Sequence, residues 1–236
     1  MLDQVAAIMW IRENIRHFNG DPDQITLMGP GSGAASAGLL ALSPLTRHYV
    51  KRVIATSGSA VADWATLKDY ISIRNNSIVA GYFYGCRTFH TYKLMECLKS
   101  RSYTDVSLTV VKPEVGWLPW APVPDFATRP RELQFMPQIP EMMLEEGVQF
   151  APGFAYLTGL TRDEGASFLT EDDGMIQSGY QVDKSYFAKK VYEYVKIYNA
   201  TLNPTAFQQA INFMYTPYTD LNNDTLIRRG LVDVSG

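Results

Sequence analysis

The chain has 236 residues, of which 46% are hydrophobic, 19% charged and 12% aromatic, and its formal net charge is -3. This composition is typical of a folded chain with a sizeable core. Without a basic excess, nucleic acid is not expected as a partner. The apolar runs are far shorter than the roughly 20 residues that a helix needs to cross a membrane.

Hydrophobic periodicity and turn residues predict the elements in chain order. An amphipathic helix is expected over residues 2–15, and a turn over residues 17–24. The next four segments are a strand, a glycine-rich turn, a small-residue helix and a second strand, at residues 25–28, 29–33, 34–42 and 52–56. This order is a βαβ unit, which builds a parallel sheet.

Helical patterns dominate the rest of the chain. The predicted helices are residues 62–70, 91–99, 139–146, 185–198 and 205–215, and the one further predicted strand is residues 154–159. Residues 111–140 are dense in proline and carry two tryptophans, and they show neither helical nor strand periodicity. We expect an ordered, irregular segment there.

The glycine-rich turn is compatible with several kinds of chemistry. A G-x-S-x-G elbow presents a nucleophilic serine, and a glycine turn before a helix can also cradle a phosphate. The Walker pattern is missing because no Lys-Ser or Lys-Thr follows, and Ser36 stands where a dinucleotide motif needs its third glycine. A third interpretation is that the glycines serve backbone geometry alone.

Several runs resemble the type-B carboxylesterases and cholinesterases. The runs before the turn are LDQVAA (2–7), WIRENI (10–15), FNGDPD (18–23) and ITL (25–27). The family elbow is Gly-Glu-Ser-Ala-Gly, and in register Gly29 and Gly33 are its outer glycines while Gly31 takes the serine position. The resemblance extends to about residue 169.

This resemblance implies a fold and a domain boundary. The fold would be an α/β-hydrolase fold, here partial, with a mostly parallel sheet, helices on both faces and long helical excursions. Residues 1–236 would be an internal fragment of one such domain, truncated at both ends.

The resemblance also assigns roles to individual residues. The run GLTRDEGASFL (159–169) places Glu164 at the triad-acid position, and Ser57 matches a serine that supports this acid. Ser32 falls where the backbone N–H contributes to the oxyanion hole. One alternative makes Ser32 a replacement nucleophile in a carboxylic ester hydrolase. Another leaves Glu164 only hydrogen-bonding a neighbouring loop.

The three histidines do not fit the base of this triad. His17, His48 and His90 all precede Glu164, whereas the family order is nucleophile, acid, base. We expect them to be solvated or locally hydrogen-bonded, with the base outside the chain. No cysteine or histidine spacing indicates a metal site, and no cofactor is expected.

Cysteines and sequons indicate the compartment. The resemblance implies a disulfide between Cys86 and Cys97, with two reduced core cysteines as the alternative. N-x-S/T sequons begin at Asn75, Asn199 and Asn223. Such sequons fit N-glycosylation of a secreted or cell-surface protein.

With glycine at the nucleophile position, the sequence resembles the cholinesterase-like adhesion molecules. The runs that carry this similarity are MGPGSGAASAGLL (28–40), RHYV (47–50) and SGSAVADWA (57–65). It implies a non-catalytic extracellular domain at the cell membrane, at cell–cell junctions, that binds a cell-surface or junctional protein and could form a homo- or heterodimer. Membrane attachment would come only from segments outside this chain. A further hypothesis keeps a pocket for small apolar ligands after catalysis is lost.

Overall fold

The computed structural model describes residues 1–68, 70–107, 118–170, 173–177, 179–197, 203–218, 220 and 222–235. These residues form two compact units, one that ends at Gly159 and one that begins at Leu160. Among the helices of the described ranges, none is both long enough and apolar enough to cross a membrane.

The first unit is built on a parallel sheet. Its strands are β1 (Ile25–Pro30), β2 (Val50–Thr56) and β3 (Ala155–Gly159), in the spatial order β1-β2-β3. The last residue of β2, Thr56, pairs with Pro30 on one side and with Gly159 on the other. The carboxyl ends of all three strands therefore meet at one edge of the sheet.

The helices of the first unit precede or separate these strands in the chain. In the described part of the first unit they are α1 (Leu2–Asn14), α2 (Ser32–Leu42), α3 (Tyr70–Phe83), α4 (Thr91–Lys99), α5 (Tyr103–Ser107) and α6 (Pro140–Glu145). Helix α2 packs on β1 and β2, and nearly its whole length is buried. It has no charged residue, as expected for a buried helix. Small side chains allow this close packing, since a Cβ at Gly38 would lie 2.9 Å from the Cβ of Ala60.

The second unit is helical in its described residues. Its helices are α7 (Ala166–Thr170), α8 (Asp173–Gln177), α9 (Lys184–Ile197), α10 (Pro204–Tyr215) and α11 (Asp224–Ser235). The side chains of Met175, Val191 and Leu231 are completely buried in its core. Asparagine side chains cap two helices, because Asn203 accepts from the N–H of Ala206 and Asn223 from that of Leu226.

Most predicted elements are confirmed. The strands β1, β2 and β3 and the helices α1, α2, α4, α6, α9 and α10 match their predictions to within two residues at each end, apart from residue 198, which lies outside the described residues. The α/β fold class predicted from the sequence is also confirmed.

The predicted helix at residues 62–70 is wrong. The backbone forms short turns there, with hydrogen bonds from Ala62 N to Ser59 O and from Ala65 N to Ala62 O. Leu67 N then donates to Pro122 O at 2.9 Å, a contact with a distant segment that a helix would forbid. Tertiary contacts therefore override the local pattern, and the helix begins only at Tyr70.

The proline-dense segment is irregular but ordered over the residues that can be described. Residues 111–117 of this prediction lie outside them, and from residue 118 the regular structure is a 3₁₀ turn at Arg131–Leu133. The carboxylate of Asp125 accepts hydrogen bonds from Phe135 N and Met136 N, at 2.8 and 3.0 Å. These bonds hold the side chain of Met136 in the core.

The start of α9 should make the second unit sensitive to acid. Asp183 Oδ1 accepts from Tyr186 N at 2.7 Å, and this bond and the one from the Ser185 hydroxyl lower the pKa of the carboxyl. A carboxylate whose pKa is lowered in the folded state stabilises the fold at pH values above its unfolded-state pKa. This stabilisation is lost as the pH falls through the folded-state pKa. Asp183→Ala should lower the thermal midpoint at neutral pH, whereas Asp183→Asn should keep the cap. Thermal melts from neutral to acidic pH would check this, since only the wild type should lose capping on acidification. An Asp183→Ala midpoint equal to the wild type at neutral pH would contradict the prediction.

Candidate active-site elbow

The glycine-rich segment forms a sharp strand-to-helix turn. Strand β1 runs through Pro30, and α2 begins at Ser32, so the turn is narrower than the predicted residues 29–33. Gly31 alone makes the turn, with φ 52 and ψ -117. Its N–H donates to Thr56 O at 2.9 Å, and its carbonyl accepts from Ala35 N to begin the helix. This is the geometry that a G-x-S-x-G elbow requires.

Two neighbouring glycines let backbone segments approach closely. A Cβ at Gly29 would lie 2.4 Å from the carbonyl carbon of Gly33, and a Cβ at Gly58 would lie 2.3 Å from the carbonyl oxygen of Gly31. No side chain fits at such distances. By contrast, a Cβ at Gly31 would meet no atom within 4 Å. The turn is therefore tightly braced on its inner side and open at its tip.

Ser57 lies at the same sheet edge. It directly follows β2, has a φ of 54, and its N–H donates to Gly159 O at 2.8 Å. Gly31 and Ser57 thus follow adjacent strands at the carboxyl edge of the sheet. In open α/β sheets, ligands bind at this edge.

Ser32 is the first residue of α2 and is exposed. It follows Gly31 in the chain, at the helix end where backbone N–H groups have no partner within the helix. This position suits an N–H donor to an oxyanion, as the sequence predicts.

Glu164 belongs to the second unit. It is half-buried, and its Oε1 accepts from Thr161 N at 2.7 Å. Its carbonyl accepts from the Ser167 hydroxyl at 2.8 Å, which ties the glutamate to the turn before α7. The carboxylate therefore organises its own loop.

The histidines and acidic residues do not form a metal site in the described ranges. His17, His48 and His90 are all exposed, and His48 accepts from the Arg47 side chain at 3.5 Å. Within the ranges that the structure describes, no three His, Cys, Asp or Glu side chains are grouped to hold a metal ion.

The cysteines and sequons can be placed individually. Cys86 and Cys97 form a disulfide with Cα atoms 5.7 Å apart, which removes the alternative of two reduced cysteines. Asn75 is exposed on α3, and Asn223 is half-buried at the start of α11. Asn199 lies outside the described residues.

The first unit holds an apolar pocket of about 320 Å³, whose position the sequence did not reveal. It lies between α2, β3 and the segments flanking them, with Gly38, Ala41, Phe154 and Tyr156 among its lining residues. The alternation of Phe154, just before β3, and Tyr156, within β3, is the signal that could have indicated its position.

The phenol of Tyr156, which lines this pocket, should titrate above the ordinary pH of a tyrosine. Burial raises its pKa above 10.0, and a hydrogen bond from Ser59 partly offsets that shift. Because the pKa is raised in the folded state, the protonated phenol contributes stability that is fully present below the unfolded-state pKa. This contribution is lost as the pH rises through the folded-state pKa. Subtracting the near-ultraviolet alkaline titration of Tyr156→Phe from that of the wild type isolates this phenol. Ser59→Ala should move its titration still higher, and ionisation of Tyr156 at or below the ordinary pH of a tyrosine would contradict the assignment.

Together, the parallel sheet and the strand–turn–helix unit define an α/β-hydrolase fold. A model described as the carboxylesterase family matches residues 1–236, and the chain belongs to this family.

The curated relatives of this chain include neuroligins and an acetylcholinesterase. The chain is 29% identical over 236 residues to Neuroligin-2 of Rattus norvegicus and to Neuroligin-3 of Homo sapiens, covering 98% of this chain and 26% of each relative. It is 30% identical over 242 residues to an acetylcholinesterase of Danio rerio, covering 100% of this chain and 36% of that protein. The chain thus spans about a quarter to a third of the length of these curated relatives.

Proposed function

We propose that this chain is part of a catalytically inactive, cholinesterase-like extracellular domain that acts in cell adhesion and cell-junction organisation. The observation that carries the proposal is Gly31, which occupies the tip of an intact elbow and has no side-chain oxygen. In this reading Gly31 stands at the nucleophile position, Glu164 at the acid position, with Ser57 supporting it, and Ser32 at the oxyanion position. A triad without its nucleophile cannot form an acyl-enzyme.

Steric crowding does not explain the missing serine. The tip of the elbow has free space for a Cβ, and the braces at Gly29 and Gly58 are retained. The scaffold thus keeps the shape that catalysis needs without the atom that would attack a substrate. A protein that uses this fold for binding needs only the shape.

Similarity to neuroligins supports the adhesion role. Neuroligins are among the cholinesterase-like adhesion molecules that the sequence resembles, and the runs at residues 28–40, 47–50 and 57–65 resemble gliotactin in particular. That resemblance supports a location at epithelial septate junctions, with a junctional protein as partner. The Cys86–Cys97 disulfide fits an oxidising, extracellular compartment.

Covalent labelling tests the loss of catalysis. The full-length protein, secreted from cultured cells, is incubated with a fluorophosphonate probe beside an active acetylcholinesterase as a positive control. We expect labelling of the control alone, because a probe of this kind reacts with an activated serine. Stoichiometric labelling of any residue of the protein would overturn the proposal.

A carboxylic ester hydrolase is the second candidate. Its support is the 30% identity to an acetylcholinesterase and the exposed Ser32 beside the elbow tip. It requires turnover of a chromogenic ester that disappears in Ser32→Ala. Equal rates in wild type, Ser32→Ala and buffer would remove it.

A further inference from the structure

An exposed apolar stripe runs along helix α3. Ile71, Val79 and Tyr82 are 52%, 50% and 43% exposed. In a helix of 3.6 residues per turn, these three positions lie within about 80° of one another around the axis. Phe83, 67% exposed, widens the stripe at its carboxyl end.

A neighbouring loop extends the stripe and holds it in place. The ring of Phe89, 65% exposed, packs edge-on against Tyr82 with centroids 6.2 Å apart. Arg74 Nη2 donates to Phe89 O at 3.1 Å, and the Cys86–Cys97 disulfide closes the loop that carries Phe89. The ring contact, the hydrogen bond and the disulfide therefore join the Phe89 loop to the stripe as one surface of aromatic and aliphatic side chains.

Asn75 lies at the centre of this stripe. It is one turn after Ile71 and one turn before Val79, it is exposed, and it begins the sequon Asn75-Asn76-Ser77. Within the 80° that Ile71, Val79 and Tyr82 span around the axis, Asn75 is the one polar position. The sequon and the apolar surface thus occupy the same face of α3.

We propose that an N-linked glycan on Asn75 covers this stripe. Aromatic rings carry partial negative charge on their faces, which attracts the C–H groups of a sugar ring while the sugar hydroxyls remain in water. From Asn75 to Tyr82 the helix rises about 10 Å, a span that the first sugars of an N-glycan reach. A bulky, hydrated glycan would turn an adhesive surface into a soluble one.

This inference rests on the extracellular location in the proposed function, because N-glycans are added in the secretory pathway. The test therefore separates the two. Secreted protein with Asn223 modified and Asn75 bare would contradict the glycan at Asn75 alone. Secreted protein with no glycan at any sequon would count against both. Fluorophosphonate labelling of the same sample reports on catalysis independently.

The experiment compares two sequon variants of the full-length secreted protein. Asn75→Gln removes the glycan from the stripe, and Thr225→Ala removes the sequon at Asn223 while its side chain still caps α11. Peptide mass spectrometry should find Asn75 occupied in the wild type. Binding of the dye ANS should rise about twofold or more in Asn75→Gln, as exposed apolar surface increases, and should stay at the wild-type level in Thr225→Ala.

Two further measurements guard against misfolding of the variant. Endoglycosidase treatment of the folded wild type should raise dye binding, and the same treatment of Asn75→Gln should not. Adding Val79→Glu to Asn75→Gln should return dye binding toward the wild-type level, because it breaks the stripe. An unmodified Asn75, or equal dye binding by wild type and Asn75→Gln, would overturn the proposal.

Discussion

Replacing Gly29 with alanine should destabilise the first unit by about 1–3 kcal/mol, the usual cost of forcing an extra carbon into a packed site. The new Cβ would lie 2.4 Å from the carbonyl carbon of Gly33, and 2.6 Å from its carbonyl oxygen. Both atoms belong to the backbone, so no side chain can rotate away. The strand and the start of α2 would have to separate. Urea denaturation followed by circular dichroism measures the change in the free energy of unfolding.

Gly33→Ala is the matched control for this prediction. It adds the same atom on the other side of the same contact, but its Cβ would meet only Pro30 Cδ at 3.4 Å. Gly33 lies inside α2, where alanine is favoured over glycine by about 0.5–1 kcal/mol. We therefore expect a neutral or stabilising effect. Equal destabilisation by the two substitutions would contradict the steric explanation.

Removing the disulfide should lower the free energy of unfolding by about 2–3 kcal/mol, the size expected for a bridge that closes a short loop. Without the bridge, the unfolded chain gains conformational freedom. The change is the double substitution Cys86→Ala and Cys97→Ala, eleven residues apart in the chain. Cys86 is buried against Ile78 and Leu94, and the bridge joins the turn after α3 to α4. Urea midpoints of wild type and the double variant, each with and without reductant, measure the effect.

Reductant provides the internal control. Reduction should lower the urea midpoint of the wild type toward that of the double variant and leave the variant unchanged. A variant as stable as the oxidised wild type would show that packing of α3 on α4 suffices without the bridge.

Much of the first unit was predictable because its signals are local. The strand–turn–helix order from Ile25 to Leu42 follows from a β-prone run, glycines and small apolar residues. The helix predicted at residues 62–70 is wrong because the backbone there bonds to Pro122, and the neighbours Ala65 and Thr66 are both buried. A local pattern carries no information about a hydrogen-bond partner more than fifty residues away.

Helix α11 was missed although its signals are present. Asn223 begins a sequon and also caps the helix, and Ile227 and Leu231 supply the helical spacing. The sequon at Asn223 predicts glycosylation but says nothing about the helix cap. The role of a side chain that suits two functions can be assigned only when its hydrogen-bond partners are known.

The sequence by itself determined the chemistry that is missing, since Gly31 has no hydroxyl whatever the fold. It also determined the family pattern and the presence of two cysteines. Only the tertiary structure decided that Gly31 forms the whole turn, that Gly29 and Gly58 brace it, and that Asn75 lies within an apolar stripe. The reason is physical: residue identity limits which atoms are available, while close approach and exposure depend on how separate segments pack.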